Sequence, residues 1–169
     1  MLVGNSPLPD NLGIRPARPE DRGFIESLYR STRDDLRLID AETDFIEELI
    51  GMQQRAQGQG YGEMFPNAMY FVVEHLNERI GRIVVDFGPN EIRLVDLAFV
   101  PQARGRGFGV TVIKAMQFAA GQSRAPLTLA VNRTNVRARQ LYLSLGFRVE
   151  QSDVMTEYMA WYPTAAFMQ

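Results

Sequence analysis

Apolar residues recur along this chain in two rhythms. Near the start the rhythm is helical: Phe24, Ile25, Leu28 and Tyr29 share one face. Pro19-Glu20-Asp21 opens that helix, with proline and acids in the first turn where the helix dipole favours them. Leu12 to Arg18 reads as a short first strand. A second amphipathic helix is predicted from about Ala41 to Gln57, with Phe45, Ile46, Leu49 and Met52 on one face. Gly58, Gly60 and Gly62 are expected to break it. The rhythm then becomes extended. Met69 to Leu76 turns at Asn77-Glu78 into Arg79 to Phe87, and Gly88-Pro89-Asn90 leads into Glu91 to Val100. Connections this short imply an antiparallel meander, because a parallel crossover needs a dozen or more residues.

Pro101 ends the third strand of the meander because it cannot donate to a ladder. Beyond the glycine-rich run Gln102 to Gly109, Val112, Ile113, Met116 and Ala120 mark a third helix. Leu127 to Val131 is a compact strand. A fourth helix starts near Asn135 and stops at Gly146, and Phe147 to Ser152 and Thr156 to Tyr162 are extended. The sum is an α+β, mixed-sheet domain over residues 12–163, with tails at 1–11 and 164–169.

Composition narrows the chemistry. At 169 residues the chain fits one domain. A formal net charge of −2, with basic residues scattered apart from Arg104 and Arg106, gives no reason to expect nucleic acid as a partner. With no cysteine and the single histidine His75, thiolate chemistry and multi-histidine metal sites are excluded, and no metal is expected. His75 reads as a solvated strand residue. No apolar run approaches the ~20 residues of a membrane helix, and the first residues lack a signal-peptide pattern, so a cytoplasmic protein is the default expectation.

Gly105, Gly107 and Gly109 stand where a strand gives way to a helix. Glycines there let backbone amides approach an anion, and the helix N-terminus adds about half a positive charge. Arg104 and Arg106 could neutralise more of it. A diphosphate-bearing ligand is one reading; a turn with solvated arginines is the other. A dinucleotide fold would put the turn after the first strand, and a P-loop needs Gly-Lys-Ser/Thr; neither fits.

The run Gln102-x-x-Gly105-x-Gly107, preceded by Val-Asp-Leu-Ala-Phe-Val-Pro, resembles the coenzyme A diphosphate loop of the GCN5-related N-acetyltransferase (GNAT) superfamily. Asn132-Arg-Thr-Asn135 through Tyr142 to Gly146-Phe147 is similar to its second signature. The resemblance implies a mixed, mostly antiparallel sheet of about seven strands flanked by four helices. It also implies acetyl-CoA as donor, with Arg104, Gly105, Arg106, Gly107, Phe108 and Gly109 on the diphosphate, and Leu97, Ala98, Phe99 and Val100 pairing with the pantetheine arm. An amide near Leu97 or Ala98 would hold the thioester oxygen.

By the same resemblance Tyr142 is the general acid that protonates the departing thiolate, although it also flanks the stripe of Ala138, Leu141 and Leu145 and could serve packing alone. Asn135 caps the last helix, contacts pantetheine, or does both; Asn132 is a weaker candidate for the same neighbourhood. The amine needs a base, for which Asp96 is the first candidate: if it is buried on the face of Leu94 and Ala98, its pKa rises toward a useful value. A structural carboxylate is the other reading of Asp96, and Glu91, Glu74 and Tyr61 stand in reserve. Tyr61, Phe65 and Tyr70 are candidate walls of the acceptor pocket. The acids Asp34, Asp35, Asp40, Glu42, Asp44, Glu47 and Glu48 either attract a cationic amine or form a solvated face. The implied function is acetylation of a primary amine on a small molecule or protein, by direct attack in a ternary complex. A coenzyme A-binding module without turnover and a nucleotide-binding regulatory domain are the alternatives. The acceptor and the oligomeric state, a homodimer included, stay open.

Overall fold

The computed structural model describes residues 8–33 and 43–164. Seven strands form one sheet: β1 (Leu12–Pro16), β2 (Met69–His75), β3 (Glu78–Phe87), β4 (Ile92–Phe99), β5 (Leu127–Asn132), β6 (Arg148–Ser152) and β7 (Thr156–Trp161). Four helices accompany it: α1 (Arg22–Ser31), α2 (Thr43–Met64), α3 (Phe108–Gln122) and α4 (Val136–Ser144). The spatial order is β1-β2-β3-β4-β5-β7-β6. Every neighbouring pair is antiparallel except β4 and β5, which α3 connects. The predicted mixed sheet with four helices is therefore the observed one.

Local sequence explains most boundaries. Leu76 and Asn77, both at positive φ, make a two-residue hairpin turn between β2 and β3. Gly146 takes φ +94° just past α4, a backbone conformation most side chains resist. Asp21 caps the turn before α1 by accepting from the Arg18 N–H at 2.8 Å. Its fully buried carboxylate also meets Arg15 at 2.7 Å and Arg79 at 3.2 Å, which ties α1 to β1 and β3. Residues 9–11 form a 3-10 turn, and Leu8 packs on the core, so structure begins before the expected boundary at residue 12.

The second helix corrects the sequence reading. It runs through Gly58, Gly60 and Gly62 to Met64. A helical glycine costs only about 1 kcal/mol relative to alanine, and tertiary packing overrides that sum. The buried stripe is Ile46 and Ile50, continued by Gln57 and Tyr61; Phe45 and Met52, expected inside, are more than half exposed.

The core lies mainly between the sheet and α3, whose Val112, Ile113, Met116 and Ala120 are all buried as the pattern predicts. Within the sheet, Val84 and Val85 are both fully buried, so both faces are covered there. α4 has no buried residue at all, because its inner face borders a cleft.

Candidate active site

The site grows from two irregularities of β4. In the pairing with β3, Asp96 faces Val84 and Leu94 faces Val85, so Val95 is an extra residue, a bulge. The pairing with β5 covers only Ile92 to Leu94. Past the bulge the two strands part, leaving a gap of about 180 Å³ bordered by Leu97, Asn132, Asn135 and Tyr142.

Beyond the bulge one edge of β4 has no partner strand. The Val100 N–H donates to Ile80 at 2.8 Å, and Ala98 faces Arg82 two residues earlier. Because hydrogen-bonding direction alternates along a strand, the N–H and C=O groups of Leu97 and Phe99 point the other way, into the opening.

That opening is a cleft of about 860 Å³ between β4, α3 and α4. Its far end is the turn before α3. Gly105 and Gly107 take φ +72° and +85°, and Gly107 is the N-cap of α3. Lacking a side chain, Gly107 offers no cap, and the amides of Phe108, Gly109 and Val110 have no partner four residues back. They stand at the positive end of the helix and line the cleft. Arg137 faces the turn from α4, with Nη2 3.4 Å from where a Gly105 Cβ would stand.

At the near end the Tyr142 ring packs edge-on against Phe147, with centroids 5.6 Å apart. Tyr142 borders both the cleft and the gap. Its hydroxyl has no hydrogen-bond partner among the described residues. Burial, with a smaller contribution from the Asp96 charge, pushes its pKa up to about 12, so it carries its proton at neutral pH. A third cavity, of about 230 Å³, opens on the other side of Asp96, Leu97 and Ala98, walled by α1, Gln57 and Arg82. Burial first, and then Asp96, also pushes the Tyr61 phenol well above its ordinary value.

A family model described as "Acetyltransferase (GNAT) domain" matches residues 66–149, the span that holds the bulged strand and the glycine turn. The chain belongs to the GNAT acetyltransferases. It is 28% identical to the mouse (Mus musculus) thialysine N-epsilon-acetyltransferase over 159 residues, 88% of each chain. Among solved structures it resembles the PaiA N-acetyltransferase of Thermoplasma acidophilum in complex with coenzyme A, with TM-score 0.66, 18% identity, and coverage of 89% of this chain and 98% of that one. It also resembles a mutant of the spermidine N-acetyltransferase SpeG of Vibrio cholerae, with TM-score 0.63, 19% identity, and 94% and 96% covered.

Several residues stand differently in this GNAT enzyme from the sequence expectation. Val100 has its amide committed to β3, and Ala98 bonds on the same side, so neither can pair with a ligand in the cleft. Arg104 lines the cleft, but its guanidinium already donates to Phe99 O at 3.0 Å and Ser31 Oγ at 3.2 Å. Arg106 stacks on the Phe108 ring at 4.8 Å and is not among the residues that border the cleft. Asp96 does not share a face with Leu94, because the bulge resets the alternation between them. Rather than sitting among apolar neighbours, its carboxylate pairs with Arg82 at 2.9 Å and is 25% exposed.

The remaining candidates sort by position. Asn135 is the N-cap of α4, accepting from Ala138 N–H at 3.3 Å, and it borders cleft and gap together. Asn132 Oδ1 is used locally by Thr134. Glu74 pairs with Arg15 at 3.2 Å, and Glu91 accepts from Thr128 at 2.5 Å, neither bordering the cavities. His75 packs against Phe108 at 4.9 Å rather than standing free in solvent. Phe65 lies under Arg93, and Tyr70 neighbours Tyr61. Of the acidic stretch, Asp34, Asp35, Asp40, Glu42 and the Asp44 side chain lie outside the described residues; Glu47 pairs with Arg30 at 3.3 Å. Sequence reasoning missed Arg33, Arg82 and Arg137, because a single arginine on a strand or helix end carries no motif.

Proposed function

We propose that this acetyltransferase moves an acetyl group from acetyl-CoA to a primary amine by direct attack in a ternary complex. The observation that carries the reading is that three spaces converge on Leu97: the long cleft, the gap beside Tyr142, and the cavity walled by α1 and Gln57. A donor arriving along the cleft and an acceptor arriving through the cavity would meet there.

The residues present fit the donor. The first-turn amides of α3, with glycines at positive φ and no Cβ in the way, suit a diphosphate; Arg137 adds charge opposite them. The edge at Leu97 and the Phe99 N–H, with the Phe99 carbonyl taken by Arg104, suits an extended arm that bonds like a strand. Acetyl-CoA supplies an acyl carbon on a thioester, whose C–S bond breaks as the new C–N bond forms.

In this mechanism the Leu97 N–H donates a hydrogen bond to the carbonyl oxygen as negative charge develops there. Tyr142 donates its hydroxyl proton to the departing sulfur; a raised pKa keeps that proton available. The acceptor enters as an ammonium, since an amine of pKa ~10.4 is well under about 0.1% neutral at pH 7. Asp96, on the wall between cavity and gap, takes up the proton that the ammonium loses before it attacks, with Arg82 fixing its carboxylate. The second proton, shed by the nitrogen as the amide forms, restores the Tyr142 hydroxyl. The reading is supported by the activities named for the thialysine and spermidine N-acetyltransferases, both of which acetylate amines. A panel of primary amines, with free thiol release from acetyl-CoA as readout, tests it: saturable, amine-dependent release is expected, and release that no amine accelerates would refute it.

A further inference from the structure

Resting on the amine-acetylation reading, the geometry points to an acceptor that carries a carboxylate as well as its reacting amine, with Arg33 holding the carboxylate. Arg33 follows the end of α1 and borders the acceptor cavity beside Tyr29, Gln57, Arg82 and Asp96, at the point where that cavity meets the long cleft, which Arg33 also lines. Its Nε donates to the Tyr29 hydroxyl at 3.2 Å, and its guanidinium lies 5.1 Å from the Tyr29 ring centroid. Those contacts anchor the guanidinium on its Nε side. They leave its two terminal nitrogens for a planar anion, the fork geometry that matches a carboxylate.

Charge in the cavity points the same way. Arg82 and Asp96 pair at 2.9 Å and cancel one another. Among the described residues that border the cavity, Arg33 is then the remaining charge, and it is positive. A polyamine entering here would bring a second ammonium toward a guanidinium, whereas an amino acid would present its carboxylate to Arg33 and its amine toward Asp96 and Leu97. A volume of about 230 Å³ suits a molecule of that size.

The test compares matched acceptors on the full-length enzyme by thiol release. The ω-amino acids from glycine to 6-aminohexanoate are set against the corresponding alkylamines, and lysine against 1,5-diaminopentane, with spermidine as the polycationic arm. The best carboxylated acceptor should exceed its partner in kcat/KM by about 10- to 100-fold, the range for a charged hydrogen-bonded contact. Arg33→Gln should raise KM for that acceptor by a similar factor and so remove its advantage over the matched alkylamine, with a smaller effect on KM for acetyl-CoA, and Arg33→Lys should recover part of the loss. Equal or faster turnover of the alkylamines or spermidine overturns the proposal. So does an Arg33→Gln effect on acetyl-CoA in place of the acceptor. Thiol release accelerated by none of the amines would overturn amine acetylation itself, and this inference with it.

Discussion

Gly81 of β3 lies so close to Ala98 of β4 that a Cβ on Gly81 would stand 2.6 Å from the Ala98 carbonyl oxygen and 2.8 Å from the Phe99 ring. The obstacle is backbone, so it cannot swing aside, and the segment it would push carries the free edge of β4. Gly81→Ala is expected to destabilise the fold by about 1–3 kcal/mol, the usual cost of overpacking. It should also lower acetyl transfer under conditions where the protein is still folded. Urea unfolding alongside steady-state kinetics checks both effects.

Tyr142→Phe removes one hydroxyl that has no partner among the described residues, so affinity for coenzyme A should hardly change. Loss of a general acid should cost about 10²- to 10⁴-fold in kcat. The pH dependence has a definite sign. With its pKa at about 12, Tyr142 keeps its proton as pH rises past the ordinary tyrosine value, and the acid is lost only near the top of that range. The alkaline fall of kcat assigned to this group should therefore lie well above pH ~10, and the Phe variant should lack it. Pre-steady-state rates across alkaline pH measure it.

Gly107→Glu separates binding from folding. A Cβ at Gly107 meets nothing within 4 Å, so the fold should survive at a cost of about 1–2 kcal/mol for a side chain at φ +85°. A carboxylate among the first-turn amides would repel a diphosphate, and coenzyme A affinity should fall by about two orders of magnitude. Calorimetric titration of coenzyme A, with circular dichroism as the folding control, provides the measurement.

Asp21 should govern acid stability. Its bonds to Arg15, Arg18 N–H and Arg79 hold its carboxyl well below the usual carboxylate range, against the opposing effect of burial. A depressed folded value means that the stability it contributes is complete above about pH 4 and drains away as pH falls below it. Asp21→Asn should flatten this acid dependence, and Asp21→Ala should cost about 3–5 kcal/mol by stranding its partners. Thermal melts from pH 3 to 7 give the comparison.

These residues also show how far the sequence could be read. The meander, the glycine turn, the Asn135 cap and Gly146 were legible because each depends on chemistry within a few residues. The break expected at Gly58 was wrong because local propensity lost to the packing of Ile46, Ile50 and Tyr61 along one helix face. The bulge at Val95 has no signature of its own, yet it decides that Asp96 leaves the face of Leu94 and that Leu97 turns its amide outward. Arg33 and Arg82 gained meaning only when α1 and β3 came together around the cavity beside Asp96, a relationship across the fold and not along the chain.

The central claim is that the α3 N-terminus and the free edge of β4 form one ligand site. Titrating the ¹⁵N-labelled protein with coenzyme A while following backbone amide shifts tests it most directly. The account predicts that the largest changes fall on residues 105–110 together with Leu97 and Phe99, with Ala98 and Val100 much less affected. Saturable binding that leaves either group unmoved would contradict it.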